Sequence, residues 1–528
     1  MQKISFLPHL RKIRIVVSLF VFVAFLLVFL NVRPAILIEI TDFLGRLQII
    51  PSAMRFMAMF FVVSGLGFAL MLLLTWLFGR IYCSSICPLG TLQDIFIAIA
   101  RPFKKRKDRK FVYSGNQKYI LRYTLLALTL ILWFSGSLML VNLLDPFSNF
   151  GRITVSLFKP AYHWLNNQLA FFLERFYIYT VDPIFTPSLS AEIVAVSSLV
   201  FISLVVMSVW RGRLFCNTIC PAGSALSLAA HKQVFKITFN HDACTLCGKC
   251  ERVCKAECLN SRTKTIDHNR CVSCFNCFAA CSGNGLYYST QKEIVNITES
   301  TVPENTKRRQ FMLTAIGGLL TLPLLKGSAK GQGMSLPGMV PTGTTLPIVP
   351  PGSISYEHFT SHCTACYMCV GVCPKNVIVP TFMDHGLQGI MQPKLDFHRS
   401  FCNFDCVECT LVCPSGAIKP QTLEQKQVIQ LGIARFMVES CIVTVDRTDC
   451  GACSEHCPTK AVDMVEWDGL WLPEVTPDLC IGCGACEFAC PTYPYKAIYV
   501  EANTVHKTAQ AIPQSDGPRK EELEEFPF

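Results

Sequence analysis

Four long apolar stretches, six quartets of closely spaced cysteines and one twelve-residue motif that occurs twice predict a multi-domain fold. Part of it is all-α and embedded in a membrane, and part is small, cysteine-rich and α+β. At 528 residues the chain exceeds what one domain normally packs, so several units are expected. A composition that is 51% hydrophobic and only 16% charged places part of the chain in lipid. The formal net charge of +11 does not read as a nucleic-acid surface, because the basic residues gather beside the apolar stretches, as membrane topology requires.

Residues 13–32, 56–78, 119–144 and 192–210 are nearly uncharged and about long enough to cross a hydrocarbon layer of roughly 30 Å. They predict a four-helix membrane domain over 1–235. Lys3, Arg11, Lys12 and Arg14 precede the first stretch, KKRKDRK comes after the second at 104–110, and Arg211 and Arg213 come after the fourth. The positive-inside rule makes all three places cytoplasmic and leaves 33–55 and 145–191 outside.

A fifth apolar stretch, Phe311 to Leu325, comes after Arg308 and Arg309 and resembles a twin-arginine export signal inside the chain, over 301–328. A short membrane helix with basic flanks is the alternative, and either one puts the residues beyond it outside. Clusters built in the cytoplasm favour export of a folded domain. The segment 329–356, rich in Gly, Pro, Ser and Thr, reads as a linker, and the polar segment 503–528 as an unstructured tail.

The cysteines carry the chemistry. Cys244, Cys247, Cys250 and Cys254 follow C-x2-C-x2-C-x3-C, and Cys271, Cys274, Cys277 and Cys281 repeat it, the spacing of a bacterial ferredoxin. The fourth cysteine of such a run usually serves the other cluster, so Cys244, Cys247, Cys250 and Cys281 are assigned to one [4Fe-4S] site and Cys271, Cys274, Cys277 and Cys254 to its neighbour. Zinc prefers two separated C-x2-C pairs, which this is not. This cytoplasmic module spans 236–300.

Four more quartets fill an outer domain at 357–502: Cys363, Cys366, Cys369, Cys373; Cys402, Cys406, Cys409, Cys413; Cys441, Cys450, Cys453, Cys457; and Cys480, Cys483, Cys486, Cys490. Each ends in Cys-Pro, at Pro374, Pro414, Pro458 and Pro491. Their fourth ligands could be exchanged between neighbours, or between first and last and second and third; spacing does not choose. Repeated cluster spacing outweighs a disulfide reading of these outer cysteines. Cys258 stands outside every group and reads as a buried thiol.

GRIYCSSICPLG at 79–90 and GRLFCNTICPAG at 212–223 make the membrane half a duplicated helix hairpin related about an axis along the membrane normal. The repeat would gather Cys83, Cys87, Cys216 and Cys220 near the inner surface, to hold a metal or a cluster, to cycle between thiol and disulfide, or merely to cap helix ends. C-x-x-C-H is absent, the four stretches contain no histidine, and no Gly-rich dinucleotide fingerprint occurs, so neither haem nor NAD is expected. A lipid-soluble donor, a quinol, fits best; the regions Gln48 to Pro51 and Asp145 to Asn149 are candidates for it.

With four helices, two C-x3-C-P motifs and a two-cluster module, the chain to about 295 resembles the NapH-type membrane ferredoxins. The remainder resembles the NapG-type exported four-cluster ferredoxins of periplasmic nitrate and nitrous oxide reductase systems. That resemblance implies about six [4Fe-4S] clusters in a multi-pass protein of the bacterial inner membrane. It would pass electrons from membrane quinol to a periplasmic reductase or its cytochrome partner. The alternative is a maturation factor supplying electrons for metal-centre or copper-enzyme assembly.

Overall fold

The computed structural model describes residues 7–31, 35–58, 66–104, 110–113, 119–184, 189–281, 283, 285–290 and 346–511. The export-signal reading at 301–328, most of the linker and the tail beyond 511 lie outside the described residues.

The helical region is built on α1 (Leu7–Phe29), α2 (Leu66–Phe78), α3 (Pro88–Phe103), α4 (Tyr119–Phe134), α5 (Pro146–Ile153), α6 (Ala191–Arg211) and α7 (Pro221–Ala230). By length and composition α1, from His9 on, and α6 can each cross a membrane, whereas α2 and α4 are shorter apolar helices. The expected span 119–144 is therefore two pieces. Gly136 adopts a left-handed φ of +88°, which ends α4, and a short helix, Met139–Leu144, starts afresh. The stretches read as outside segments also contain helices, Ala35–Arg46, Ile49–Ala58, α5 and Lys159–Glu174. α5 starts where it does because Pro146 fits the first helical turn and the Asp145 carboxylate accepts from Ser148 N at 2.8 Å.

α1 is the spine of the molecule. Its Phe25 meets Phe147 edge-on at 5.0 Å between centroids, and Phe22 meets Phe150 at 5.5 Å. Near its N-terminal end Arg14 donates to Ser84 O and to Asp94, each at 3.2 Å. The 15 residues from Arg14 to Phe29 carry the helix about 22 Å. The two cysteine-rich parts dock at these opposite ends.

At the Arg14 end, strands Phe235–Phe239 and Leu286–Thr290 pair antiparallel, Phe235 opposite Thr290, and close the first cysteine module. It is tied to the helices by Ser273 Oγ donating to Phe78 O at 2.9 Å and by Arg213 N donating to Lys255 O at 2.9 Å. At the Phe29 end, the C-terminal domain is held by Ser148 Oγ on Thr364 O (2.6 Å), Asn142 Nδ2 on Ile390 O (3.1 Å) and Lys159 Nζ on Gly371 O (3.3 Å).

The C-terminal domain is longer than expected at both ends. Val349 and Ser353, in the expected linker, are fully buried, and strand Ile498–Thr508 runs through the start of the expected tail, paired with Ile429–Phe436. Backbone bonds hold these polar segments: Leu395 N donates to Ile348 O at 2.9 Å, and Ser355 bridges Val505. Lack of apolar periodicity hid them, because a strand can be fixed through its main chain without an apolar face.

Candidate cluster sites

In the first module the cysteines gather across the two motifs. Cys271, Cys274 and Cys277 line one cavity with Cys254, lined otherwise by apolar side chains such as Ile237, Val272 and Phe275. Cys250 lies among Cys281 and Cys244, whose charges add to burial in pushing its thiol up to about 11. Tight αL turns at Leu246, Ser273 and Phe275 wrap each motif around its site.

The C-terminal domain repeats this exchange between neighbours. Cys441, Cys450 and Cys453 line a second cavity with Cys490. Burial, then Cys483, Cys480 and Cys457, raise Cys486, so Cys457 completes the fourth motif. Burial and the charge of Cys413 push Cys366 up to about 12, and Cys402 reaches about 11 with Cys373 and Cys406 beside it. Four groups result: A (Cys363, Cys366, Cys369, Cys413), B (Cys402, Cys406, Cys409, Cys373), C (Cys441, Cys450, Cys453, Cys490) and D (Cys480, Cys483, Cys486, Cys457). Of the pairings left open by spacing, the geometry selects neighbour exchange.

Their spatial order is not their order along the chain. Cys402 N donates to Cys483 O at 2.9 Å, and Phe401 packs on Phe488 at 5.7 Å, which joins B to D. The charge of Cys453 reaches Cys486, which joins D to C. The groups therefore run A, B, D, C, with A against the helices.

The donor set fits [4Fe-4S] clusters. Burial raises most of these thiols, so a cation is needed to hold them as thiolates. Backbone N–H groups aim at sulfur, as from Ala461 to Cys457 at 3.2 Å and from Ala434 to Cys480 at 3.4 Å. Among the described residues no three His, Cys, Asp or Glu side chains close on a single ion, as a zinc site would require.

Cys258, read from sequence as a lone buried thiol, lines the Cys254/Cys271 cavity. Its thiol lies 3.5 Å from Cys254 Sγ, and that hydrogen bond holds Cys254 at about 7 against the effect of burial. Its place could be suspected only from the equal spacing of Cys250, Cys254 and Cys258.

The duplicated motif is explained residue by residue. Gly79 and Gly212 have φ of +78° and +64° and break the chain sharply after α2 and α6. Arg80 and Arg213, both fully buried, cross over: Arg80 Nη2 donates to Cys216 O at 2.8 Å, and Arg213 Nη1 donates to Cys83 O. Pro88 and Pro221 start α3 and α7. A Cβ on Gly90 would strike Cys83 O, and one on Gly223 would strike Cys216 O. Cys83, Cys87, Cys216 and Cys220 are each 3% exposed, and their mutual charges raise the thiols of Cys87, Cys216 and Cys220 further than burial alone.

These four cysteines are buried in the protein interior, between the two cysteine-rich parts. Arg80 donates to Asn269 O of the first module at 3.2 Å, while Tyr82 O–H donates to Gln48 Oε1 at 2.9 Å on the other side. Burial, then Cys87 and Asp145, hold the Tyr82 hydroxyl well above its usual range, and Asp145 also acts on Cys366 of group A.

Paired four-thiol cavities on small α+β modules define an iron–sulfur electron-transfer protein of the [4Fe-4S] ferredoxin type. Comparison with known proteins agrees. A family described as "4Fe-4S binding domain" matches residues 59–107 and 193–240, once on each copy of the duplicated motif, and a "4Fe-4S dicluster domain" matches 446–493. The chain is 27% identical to the ferredoxin-type protein NapF of Escherichia coli K12 over 157 residues, 30% of this chain and 87% of the relative. It is 26% identical to the ferredoxin-type protein NapG of the same strain, covering 37% and 85%. The methylamine utilization ferredoxin-type protein MauM of Methylobacillus flagellatus is 26% identical, covering 37% and 83%. No solved structure matches the chain.

Proposed function

We propose that this chain is a multi-pass protein of the bacterial inner membrane that passes electrons from quinol to a periplasmic terminal reductase, of nitrate or nitrous oxide reductase type, or to that enzyme's cytochrome partner. The helical part corresponds to a NapH-type half and the C-terminal part to a NapG-type half, with the first module cytoplasmic and the last domain periplasmic. The 24 cysteines of the six quartets hold six clusters, each taking up and releasing one electron. The chain's own work is to bury, space and hydrogen-bond them.

The observation that carries this reading is the single file A, B, D, C. It starts at the helices, where Cys363, Cys366 and Cys369 of A are buried, and ends at C, where Cys450 and Cys453 are partly exposed, as Cys402, Cys406 and Cys409 of B also are. A file with one end in the helical region and the other at the surface suits delivery to a docked acceptor. Metal-centre maturation needs no such length. The test is anaerobic purification from membranes and addition of excess menaquinol, with electron paramagnetic resonance (EPR) as the readout. Reduction of the outer clusters is expected; full occupancy with none reduced would move the reading to maturation.

A further inference from the structure

We infer that Cys83, Cys87, Cys216 and Cys220 hold a further iron–sulfur cluster, and that it is the relay joining the first module to group A. The inference rests on the electron-transfer reading above and supplies what the six quartets lack, a centre between the two ends of α1.

Three observations carry it. First, the four thiols are contributed two by two from the duplicated motif, and the reciprocal bonds of Arg80 and Arg213 lock the halves face to face. Neither half has enough cysteines to complete a four-thiolate set alone.

Second, the surroundings call for an anion. Arg80 and Arg122 are fully buried and make only neutral bonds, Arg80 to Asn217 Oδ1 at 2.8 Å and Arg122 to Gly223 O at 2.8 Å. Among the described residues neither has a carboxylate partner. Asp94 is already engaged by Arg213, Arg14 and Lys255 at 2.9, 3.2 and 3.2 Å. Buried cations left uncompensated are costly. Free thiols or two disulfides are neutral and leave them so; four thiolates around a cluster core carry net negative charge. The Gln93 side chain accepts from Cys216 Sγ at 3.3 Å, and its Nε2, fully buried, has no partner.

Third, the position is intermediate. One continuous apolar core contains these four cysteines together with Cys254 and Cys277 of the first module and Cys363, Cys366 and Cys369 of group A, while C and D lie in separate cores. α1 packs on Asn276–Ala280 of the first module, on Ile81–Ser85 and on Met368–Val372 of group A. Electron tunnelling falls steeply with distance, so a centre here divides one long step into two. Each step moves one electron and no proton: the donor cluster is oxidised by one, the relay is reduced and then reoxidised as its other neighbour is reduced.

The test starts from the wild-type chain. Native mass spectrometry of the anaerobically purified protein should give one cluster more than its six quartets account for. A mass matching six, with Cys83 and Cys216 open to alkylation or in disulfides, would overturn the inference. Cys216→Ser should then lose one cluster. In quinone-extracted inside-out vesicles given dithionite, the variant should keep its first module reduced while the outer signals fall at least tenfold from wild type. Outer reduction equal to wild type would overturn the relay. Dithionite replaces quinol here, so a chain that does not oxidise quinol can still pass.

Discussion

The two halves of the C-terminal domain hold their cysteines in the same way and rest on different foundations. In both, neighbouring motifs exchange their last cysteine. The half with A and B is packed into the core that runs through the helices, by way of Phe29, Phe147 and Phe150. The half with C and D has one core of its own, and a second small cluster around Cys483 is shared with Phe401, Cys402 and Phe404 beside group B. Cysteine spacing thus accounts for the four-thiol groups of each half, while its surroundings account for where each stands in the file. The first half is the attachment; the second is the free end.

The sharpest way to break this contrast is to remove matching ligands. Cys413→Ser belongs by chain position to the second motif and by geometry to A, so it should abolish the A cluster, spare B, and stop quinol from reducing anything beyond. Cys490→Ser should remove C alone and leave reduction of A, B and D intact. Iron analysis beside EPR distinguishes the two; equal effects would erase the difference between the halves.

A smaller effect probes the attachment itself. A Cβ at Gly151 would strike the carbonyl of Cys366 and the ring of Phe29. Alanine gains about 1 kcal/mol of helix propensity, but the clash with backbone cannot relax cheaply and costs about 1–3 kcal/mol. Gly151→Ala should therefore loosen the domain, seen as faster proteolytic release of its C-terminal part. Gly469, at a hairpin turn of the second half, has a φ of +77° that strains an alanine locally, but nothing of the first half lies beside it, so Gly469→Ala should leave that release unchanged.

Acidity offers a finer test. Burial raises Asp145 to about 6, against the bonds it accepts from Ser148. A carboxyl raised in the fold binds its proton more tightly there than in the unfolded chain, so its protonated form stabilises. That contribution is present below the unfolded value near 4 and is lost as pH climbs through 6. Asp145→Asn, which keeps the helix cap, should flatten the melting temperature between pH 4 and 6, an effect of about 1–3 kcal/mol. An unchanged slope would place the charge elsewhere.

The smallest effect lies in the first module. The Cys258 thiol donates to Cys254, so Cys258→Ala should lower the neighbouring cluster's potential by roughly 40 mV, the worth of about one hydrogen bond for one electron. Cys258→Ser should restore most of it in a potentiometric titration.

Much of the molecule was legible in the sequence. Thiolate spacing is a local property, so all six quartets, the exchange in the first module and the duplicated motif could be read directly. The choice among outer pairings could not, because it depends on how two halves stack, as at Cys402 and Cys483. Helix lengths failed where one glycine, Gly136, broke an apolar run. What surrounds Cys83 and Cys216 was not legible, because hydropathy marks which residues avoid water and says nothing of their neighbours. Arg213 reads as a topology signal; in the fold it and Arg80, both buried, bind the two motif copies together.

The order A, B, D, C is tested most directly by EPR of the fully reduced Cys486→Ser chain. Without D, group C should show an unsplit signal, isolated from every outer neighbour, while A and B remain spin-coupled. If C stays coupled to B, the clusters follow chain order and the file A, B, D, C is wrong.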